Sequence, residues 1–352
     1  MKRNNKILVL LLLVVLACSL VVFTACKPDP QIDPDPSRAG AYCLTDKATF
    51  LTFKNGSTDK LPNLSVLFEA DNDLKNTYSM IAVDPNGSGF TTTPELNTVG
   101  ADCFIKWMSM ASTREKIAAY GDTYGTSFGG ALFYLVENAQ TYTGSVSDIS
   151  YTTGSKVIKL STTTSVNDSR LLSNSLDTEV DSLEKDFEEA TGWDLQISSK
   201  GTGAAIEDAK RGAADVLLVH SKSQEEAFIN GGFSRTVAGL TGNPVDSVNA
   251  ARIPFMYNYF VLVGTTSDPA GVKKAANIKD AFKLIAEKGI FISRGDKSGT
   301  HTKEISLWNP ELKITADTSK LPDYTWYISS GLGMGYCLTM TNVYSARYPA
   351  AA

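Results

Sequence analysis

The sequence predicts an α/β protein built on a parallel sheet covered on both faces. From residue 156 onward, short apolar runs alternate with amphipathic helical ones, and that alternation demands parallel strands joined by helical crossovers. One of the runs, FMYNYFVLVG at 255–264, is a long apolar strand. With 43% hydrophobic and 20% charged residues, the chain has the composition of a globular protein with a well-formed core.

The chain opens on Lys2, Arg3 and Lys6, followed by an apolar run to Phe23 that ends in Thr24, Ala25 and Cys26. This is the layout of a secretory signal. A small residue directly before Cys26, with the proline-rich KPDPQIDPDPSRAG behind it, matches a bacterial lipobox, so Cys26 is the expected lipidation site and Cys18, after Leu16 and Ala17, a second candidate. Residues 1–25 are then a lipoprotein signal peptide and 26–40 a solvated, extended linker. The body is expected outside the cytoplasm, held at the cell membrane by an N-terminal lipid. Cys43, Cys103 and Cys337 form neither a disulfide framework nor a zinc-spacing motif, and leave room for one bridge at most. Removing Lys2, Arg3 and Lys6 with the leader from the 33 Lys and Arg leaves 30 against 38 Asp and Glu, a net charge of −8. That acidity gives no field for nucleic acid.

In the body, AYCLTDKATFLTF at 41–53 reads as a strand, LPNLSVLFEA as a second apolar run, and the alternating, β-branched YSMIAVDP as a third. GADCFIKWMSMASTREKIAAYG, with apolar Phe104, Trp107, Met108, Ile117 and Ala118, reads as one amphipathic helix ending on Gly121. After the turn GTSFGGALFYL, the polar residues 139–155 read as a second linker. VIKLSTTTS is then a strand, LLSNSLDTEVDSLEKDFEEATG a long helix closed by Gly192, WDLQISSKG a strand and TGAAIEDAKRGA a helix. ADVLLVHSK and SQEEAFINGG form the next strand and helix. After the long apolar strand come the helix IKDAFKLIAEKG, the strand at 290–293, and a final strand and Gly-started helix in TWYISSGLGMGYCLTMTNVYSARYP.

Ligands of such open sheets bind beyond the carboxyl ends of the strands. Three of those ends collect small donors: Ser161 to Ser165; Gly201, Thr202 and Gly203; and Ser293 to His301. The last, IFISRGDKSGTH, runs from a strand into a helix N-terminus, where free backbone N–H groups, the helix dipole and Arg294, Ser298, Thr300 and His301 suit an anion. Asp296 is placed to hold the Arg294 guanidinium while its remaining N–H groups face a ligand. With only His220 and His301 in the chain, an imidazole metal site is not expected. Asp168, Ser169 and His301 could meet as a nucleophile system, but no G-x-S-x-G elbow accompanies them, and the chain reads as a non-enzyme. GTGAAIEDA lacks the Gly-Lys-Ser/Thr ending of a nucleotide phosphate loop. Trp308, Trp326 and Tyr327 are expected in the core.

VIKLSTTTSVNDSRLL, GTGAAIEDAKRGAADVLLVH, MYNYFVLVGTTSDPA, FISRGDKSGTHTKE and GLGMG together resemble the extracytoplasmic tungstate-binding proteins of Tup-type ABC importers. The Arg-x-Asp-x-Ser-Gly-Thr pattern is shared with phosphate-binding proteins; the Thr-Thr-Thr-Ser run and the Leu-Val-His strand favour tungstate. Residues 41 to about 135 resemble that family's C-terminal third, which normally follows Gly-Met-Gly, so the chain resembles a circular permutant. The resemblance implies a two-lobed, type II periplasmic-binding-protein-like fold with crossing strands at 78–83 and 257–264. Lobe 1 would comprise 78–264, and lobe 2 would comprise 41–77 with 265–349. Segment 139–155 would join the family's usual termini, its reach of about 55 Å being ample.

By matching motif positions, the resemblance places Thr163, Thr164, Ser165, Ser169, Thr202 and Gly203 on lobe 1, facing Arg294, Ser298, Gly299, Thr300 and His301 on lobe 2. It implies a monomer that binds a tetrahedral oxyanion, tungstate or molybdate, without a cofactor, and hands it to ABC permease subunits. Two departures stand out: Arg170 occupies a position where the family usually has Gly, and Tyr259 one where an acid is common before the crossing strand. Phosphate or sulfate binding, with Asp296 or Asp168 accepting a ligand proton, is the neighbouring alternative. A surface sensor lipoprotein without a transport role is another.

Overall fold

The computed structural model describes residues 37–55, 59–173, 179–242 and 250–349. The expected signal peptide, both lipidation candidates and most of the first linker lie outside them. Among the described residues, no helix is long and apolar enough to cross a membrane.

The strands are β1 (Ala41–Asp46), β2 (Leu64–Phe68), β3 (Lys75–Val83), β4 (Tyr134–Leu135), β5 (Val157–Thr163), β6 (Asp194–Lys200), β7 (Val216–Val219), β8 (Ser234–Arg235), β9 (Ile253–Thr265), β10 (Ile290–Ser293) and β11 (Tyr327–Ser329). The helices are α1 (Lys47–Lys54), α2 (Thr98–Met108), α3 (Ala111–Ala119), α4 (Thr164–Asp168), α5 (Leu183–Thr191), α6 (Thr202–Lys210), α7 (Lys222–Asn230), α8 (Ile278–Lys288), α9 (Gly299–Leu307) and α10 (Met334–Arg347). The strands run in the order β11-β10-β1-β9-β3-β7-β5-β6, with β2 and β4 pairing β9 and β8 pairing β3. The parallel pairs of the α/β pattern are present as β5–β6, β5–β7, β1–β10 and β10–β11. The two long strands β3 and β9 run antiparallel to their neighbours and to each other, paired from Lys75↔Tyr259 to Met80↔Ile253. They divide the sheet into two halves and are the two connections through its middle.

Each half is covered on both faces, which is why its strands are apolar at successive positions. In β3, Tyr78, Met80 and Ala82 pack with Phe104, Trp107 and Phe187 of α2 and α5 on one face. Ile81 and Val83 pack with Ala205, Ile206, Phe228 and Ile229 of α6 and α7 on the other. In the second half, Phe260, Leu262 and Phe291 meet Phe282 and Trp308, while Val261, Val263, Ile290 and Ile292 meet Phe50, Cys337 and Leu338 of α1 and α10. Trp308, Trp326 and Tyr327 are buried core residues, as expected.

Three elements depart from the sequence reading. The run 41–53 is not one strand: Asp46 ends β1 and caps α1, its Oδ1 accepting the Thr49 amide at 2.8 Å, a capping geometry that overrides the β-favouring residues around it. The helix expected from 100 to 120 is two, α2 and α3, because the Ser109 hydroxyl donates back to the Ile105 carbonyl and Met110 turns extended. The long helix closed by Gly192 begins only at Leu183, where Ser182 accepts the Lys185 amide; residues 174–178 of that stretch lie outside the described ones. Segment 139–155 is tied down. Thr141 and Thr241 exchange backbone hydrogen bonds, a Ser145–Asp148 capping box opens a short 3-10 turn, and the Trp193 indole donates to the Ile149 carbonyl at 2.9 Å. Cys43, Cys103 and Cys337 are buried free thiols, so the one possible bridge does not form among them.

One buried ion pair fixes a turn that matters below. Arg252 Nε donates to Glu225 Oε2 at 2.7 Å, and Glu225 Oε1 accepts the Ser221 amide at 2.6 Å, holding the start of α7 against β9. Both side chains are essentially inaccessible, so removing one partner strands a charge without water. Glu225→Ala is expected to cost about 3–5 kcal/mol of unfolding free energy, read as a lowered urea midpoint at unchanged slope; a cost below about 1 kcal/mol would show the pair to be solvated.

Candidate functional site

The site is assembled where strand ends of both halves meet. β5 runs out at Thr163 into the short α4, β7 ends at Val219 just before His220, and β10 ends at Ser293 just before Arg294. The N-termini of α6 and α9 approach one another here. A Cβ on Gly201 would lie 3.2 Å from Ser298 Cβ, and one on Gly203 3.2 Å from the Lys297 carbonyl oxygen. Gly299 lies so close to His220 that a Cβ would stand 2.6 Å from its ring and 2.8 Å from its carbonyl oxygen, so only glycine fits without moving one half from the other.

The loop between β10 and α9 has the geometry its sequence suggested. Arg294, with 2% of its side chain exposed, donates from Nε at 3.1 Å and from Nη2 at 2.5 Å to Asp296 Oδ2. Asp296 Oδ1 in turn accepts the Ser298 amide at 3.1 Å. Ser298 caps α9, its hydroxyl accepting the His301 amide at 3.2 Å. Gly295 sits at φ +60°, where a Cβ would fall 1.7 Å from Ser329 Oγ. The third guanidinium nitrogen crosses to the other half: Arg294 Nη1 donates to Thr164 Oγ1 at 3.1 Å. A second contact between the halves, Gln224 Nε2 to Thr302 Oγ1 at 3.0 Å, joins α7 to α9.

The two histidines are both neutral, and their hydrogen bonds fix opposite tautomers. His301 Nδ1 accepts the Lys297 amide at 3.0 Å, so its proton resides on Nε2, which is buried and has no partner among the described residues. Burial lowers its pKa, with Asp296 opposing and Arg294 adding to the effect. His220 Nδ1 lies 2.7 Å from Asn76 Oδ1 and therefore carries the proton, leaving Nε2 to accept from Ser165 Oγ at 3.1 Å. Burial, aided by the Arg294 charge, depresses His220 to about 3. The chain of bonds continues through Asn76 Nδ2 to Asn258 Oδ1 at 2.9 Å and to the Tyr78 hydroxyl at 3.0 Å.

The sequence-predicted residues thus fall into two groups. Thr164, Arg294, Ser298, Gly299, Thr300 and His301, with Thr202 and Gly203 at the start of α6, surround the meeting point of the two halves. Thr202 Oγ1, Thr300 Oγ1 and His301 Nε2 are buried polar atoms without partners among the described residues. Thr163 and Ser165 are in place, but their hydroxyls bond each other at 2.8 Å, and Ser165 also bonds His220. The Ser169 hydroxyl donates to the Val166 carbonyl at 2.7 Å. Asp168, Ser169 and His301 form no nucleophile system: none of the three bonds another, and the serine that meets a histidine, Ser165, meets one whose depressed pKa makes it a poor base. Arg170 adopts φ +65°, a left-handed conformation that favours glycine, which gives a physical reason for Gly at that position and for Arg170 being a strained exception.

Sequence reasoning missed four residues. His220 carried a signal in the Leu-Val-His strand end, whereas its partners Asn76 and Tyr78 are recognisable only once β3 is known to lie between β7 and β9. Asp46 has a signal, an acid closing a strand-like run before Lys-Ala-Thr-Phe-Leu, which the β-favouring residues on either side of it mask. Among the described residues no His, Cys, Asp and Glu cluster could hold a metal ion. A cleft of about 580 Å³ is lined by Lys75, Asn76, His220, Arg252, Gly299 and Lys303; neither Arg294 nor Thr300 lines it.

An α/β sheet crossed by two long strands, with polar strand ends and helix N-termini facing each other across the division, is the arrangement of a periplasmic-binding-protein-like fold. A family model for the PBP superfamily domain matches residues 150–352, and the chain belongs to that superfamily. It is 42% identical over 188 residues to the tungstate-binding protein TupA of Peptoclostridium acidaminophilum, covering 53% of this chain and 55% of that one. It is 38% identical over 157 residues to TupA of Campylobacter jejuni, covering 44% and 50%. The chain spans about half the length of these curated relatives. Among solved structures, a tungstate ABC transporter protein from Geobacter sulfurreducens aligns at 32% identity over 55% of this chain and 69% of its own, with a TM-score of 0.37.

The histidine assignments can be checked directly, because the chain has only two. In a proton NMR titration the His220 imidazole is expected to show no midpoint between pH 5 and 8, and His301 a midpoint below the ordinary value of 6.5. A His220 midpoint near 6.5 would mean a solvated ring and a different tautomer.

Proposed function

We propose that this protein is the extracytoplasmic binding component of an ABC importer and closes on a tetrahedral oxyanion, tungstate or molybdate, at the Arg294 site. The observation that carries the reading is a set of buried hydroxyl and imidazole groups without partners among the described residues. Thr202, Thr300 and the protonated Nε2 of His301 lie in the first turns of α6 and α9, the second of which begins at the loop that pairs Arg294 with Asp296. Buried polar groups ordinarily have partners, and groups that can donate suit a dianion that carries no proton. The names of the relatives, tungstate-binding proteins, support the same ligand. With an acidic body, selectivity rests on fixed donors of the enclosed site rather than on long-range attraction. In this reading the protein is tethered through Cys26 and delivers the anion to permease subunits.

The roles of the individual residues follow. Arg294 supplies charge and bridges to Thr164 of the opposite half. Ser298, Gly299, Thr300 and His301 present the N-terminus of α9, and Thr202 and Gly203 that of α6. Thr163, Ser165 and Ser169 would act by holding the α4 turn, or after exchanging their present partners for the ligand. Asp296 is engaged by Arg294 and by the Ser298 amide.

The same reading includes a permuted chain order, with residues 78–264 as one continuous lobe and 41–77 with 265–349 as the other. What supports it is the neighbourhood of the ends: the Gly40 amide donates to the Tyr348 carbonyl at 2.7 Å. Continuing from residue 349 into β1 would therefore need almost no additional chain. The family match confined to 150–352, while β1 lies between β10 and β9 in the sheet, points the same way.

Calorimetry with tungstate, molybdate, sulfate and phosphate is expected to show heat with the first two; silence with both would remove the reading. Arg294→Ala should weaken the binding by about tenfold to 150-fold, the range for losing a hydrogen bond to a charged group, with Arg294→Lys in between. A rearranged chain, opened within 139–155 and with residue 349 joined to 41 by a short linker, is expected to fold and bind as the original does. A rearranged chain that expresses only as aggregate would count against the permutation.

A further inference from the structure

We infer that Asp46 is a specificity residue of the oxyanion site, and that binding a fully deprotonated dianion takes up one proton at its carboxyl group. The inference rests on the oxyanion reading above. Asp46 stands at the carboxyl end of β1, directly beside β10 in the parallel sheet, which is the edge from which Arg294 also emerges. It is fully buried. Its Oδ1 is used as the helix cap of α1, whereas its Oδ2 has no partner among the described residues, and an ionised, solitary oxygen is costly there. α1 packs against α4 of the other half, where the Thr49 hydroxyl reaches the Ser165 carbonyl at 3.5 Å. Oδ2 therefore belongs to the region where the two halves meet.

The surrounding charges determine what that oxygen can do. From the β10–α9 loop, Arg294 attracts a negative Asp46, but Asp296 and Thr164 already engage its nitrogens. From α4, Asp168 repels it, and the two carboxyls raise one another's cost of ionisation. His220 and His301 are neutral, and Tyr78 keeps its proton, its pKa raised by burial and by Asp46 itself. Lys47, the next residue, is turned outward to Glu69 at 2.8 Å. Burial holds Asp46 up at about 6 against the Thr49 amide and Arg294, and Asp168 is raised to about 6 by burial and by Asp46.

A tungstate or molybdate dianion brought beside Oδ2 would meet a like charge. Protonated, the same oxygen becomes one more donor. The proton comes from solvent and remains on Oδ2, and no bond of the ligand changes. Monohydrogen phosphate brings its own proton and would find an acceptor in the ionised carboxylate, so it requires no uptake. The group thus distinguishes fully deprotonated oxyanions from protonated ones by pH.

The test is calorimetry of the full chain with micromolar tungstate at pH 6 and pH 8, repeated in buffers of different ionisation heat. With a carboxyl near 6 in the free protein, affinity is expected to be about 50-fold weaker at pH 8 than at pH 6, with close to one proton taken up per tungstate at pH 8. Asp46→Asn keeps the cap oxygen and replaces the hydroxyl donor with an amide, and is expected to bind tungstate with a flat pH profile and no uptake. Tight binding by the original chain without proton uptake would overturn the inference while leaving the oxyanion reading intact. Uptake persisting in Asp46→Asn would overturn the assignment to Asp46. Absence of binding to any of the four oxyanions at either pH would remove both readings together.

Discussion

A guanidinium without access to water has to be answered locally, and the architecture around Arg294 follows from that constraint. Asp296, two residues on, supplies the counter-charge and by the same carboxylate receives the Ser298 amide. The loop is thereby locked into the turn that starts α9, with Gly295 threading beneath Ser329 where no side chain fits. Glu304, one turn along the helix from His301, fixes the strand side: it accepts from Ser293, Trp308 and Tyr327 at 2.6 to 3.0 Å. The cation's position is thus set by β10, α9 and β11 together. Its free nitrogen reaches Thr164, so a charge built by one half of the protein is completed by the other.

The reach between halves depends on the ribbon of β3 and β9. Asn76 and Asn258 lie opposite one another on one face of it, hydrogen-bonded to each other, with Asn76 bonded also to His220. On the reverse face Lys75 lies 4.0 Å above the Tyr257 ring, and Tyr134, Tyr257 and Tyr259 pack together. Tyr259, noted above as a departure from the resemblance, is opposite Lys75 in the pairing. An acid there would pair with the lysine; the tyrosine instead completes an aromatic cluster and leaves the ammonium over a neighbouring ring. The crossing is therefore stiffened by packing on one face and by an amide network on the other.

What could be read from the sequence divides along the same physical lines. The alternation of strand and helix from Val157 onward was legible because each element buries a face of its own, and the Arg294–Asp296 pair because its members are two residues apart. The crossings of β3 and β9 came through resemblance rather than periodicity. The capping by Asp46, the break at Ser109 and the late start of α5 at Ser182 were not legible, since in each a single side-chain hydrogen bond outweighs the propensities of a longer run. His220 and Asn76 are 144 residues apart in sequence, and nothing local marks them as partners.

Distance in sequence also explains why the partners of the strand-end hydroxyls were not legible. Thr162, Thr163, Thr164 and Ser165 look alike as a run of donors, yet the fold gives each a different partner. Thr162 donates to the Leu218 carbonyl at 2.7 Å in the neighbouring strand, Thr163 and Ser165 bond each other, and Thr164 receives Arg294. A hydroxyl at a strand end contributes to a ligand site only if the adjoining strand leaves it unpaired. At the helix starts facing the threonine-rich run, Thr202 Oγ1 and Thr300 Oγ1 have no partner among the described residues. A helix start has backbone donors of its own and no strand beside it to satisfy them, which is the physical difference between the starts of α6 and α9 and the strand-end run of β5.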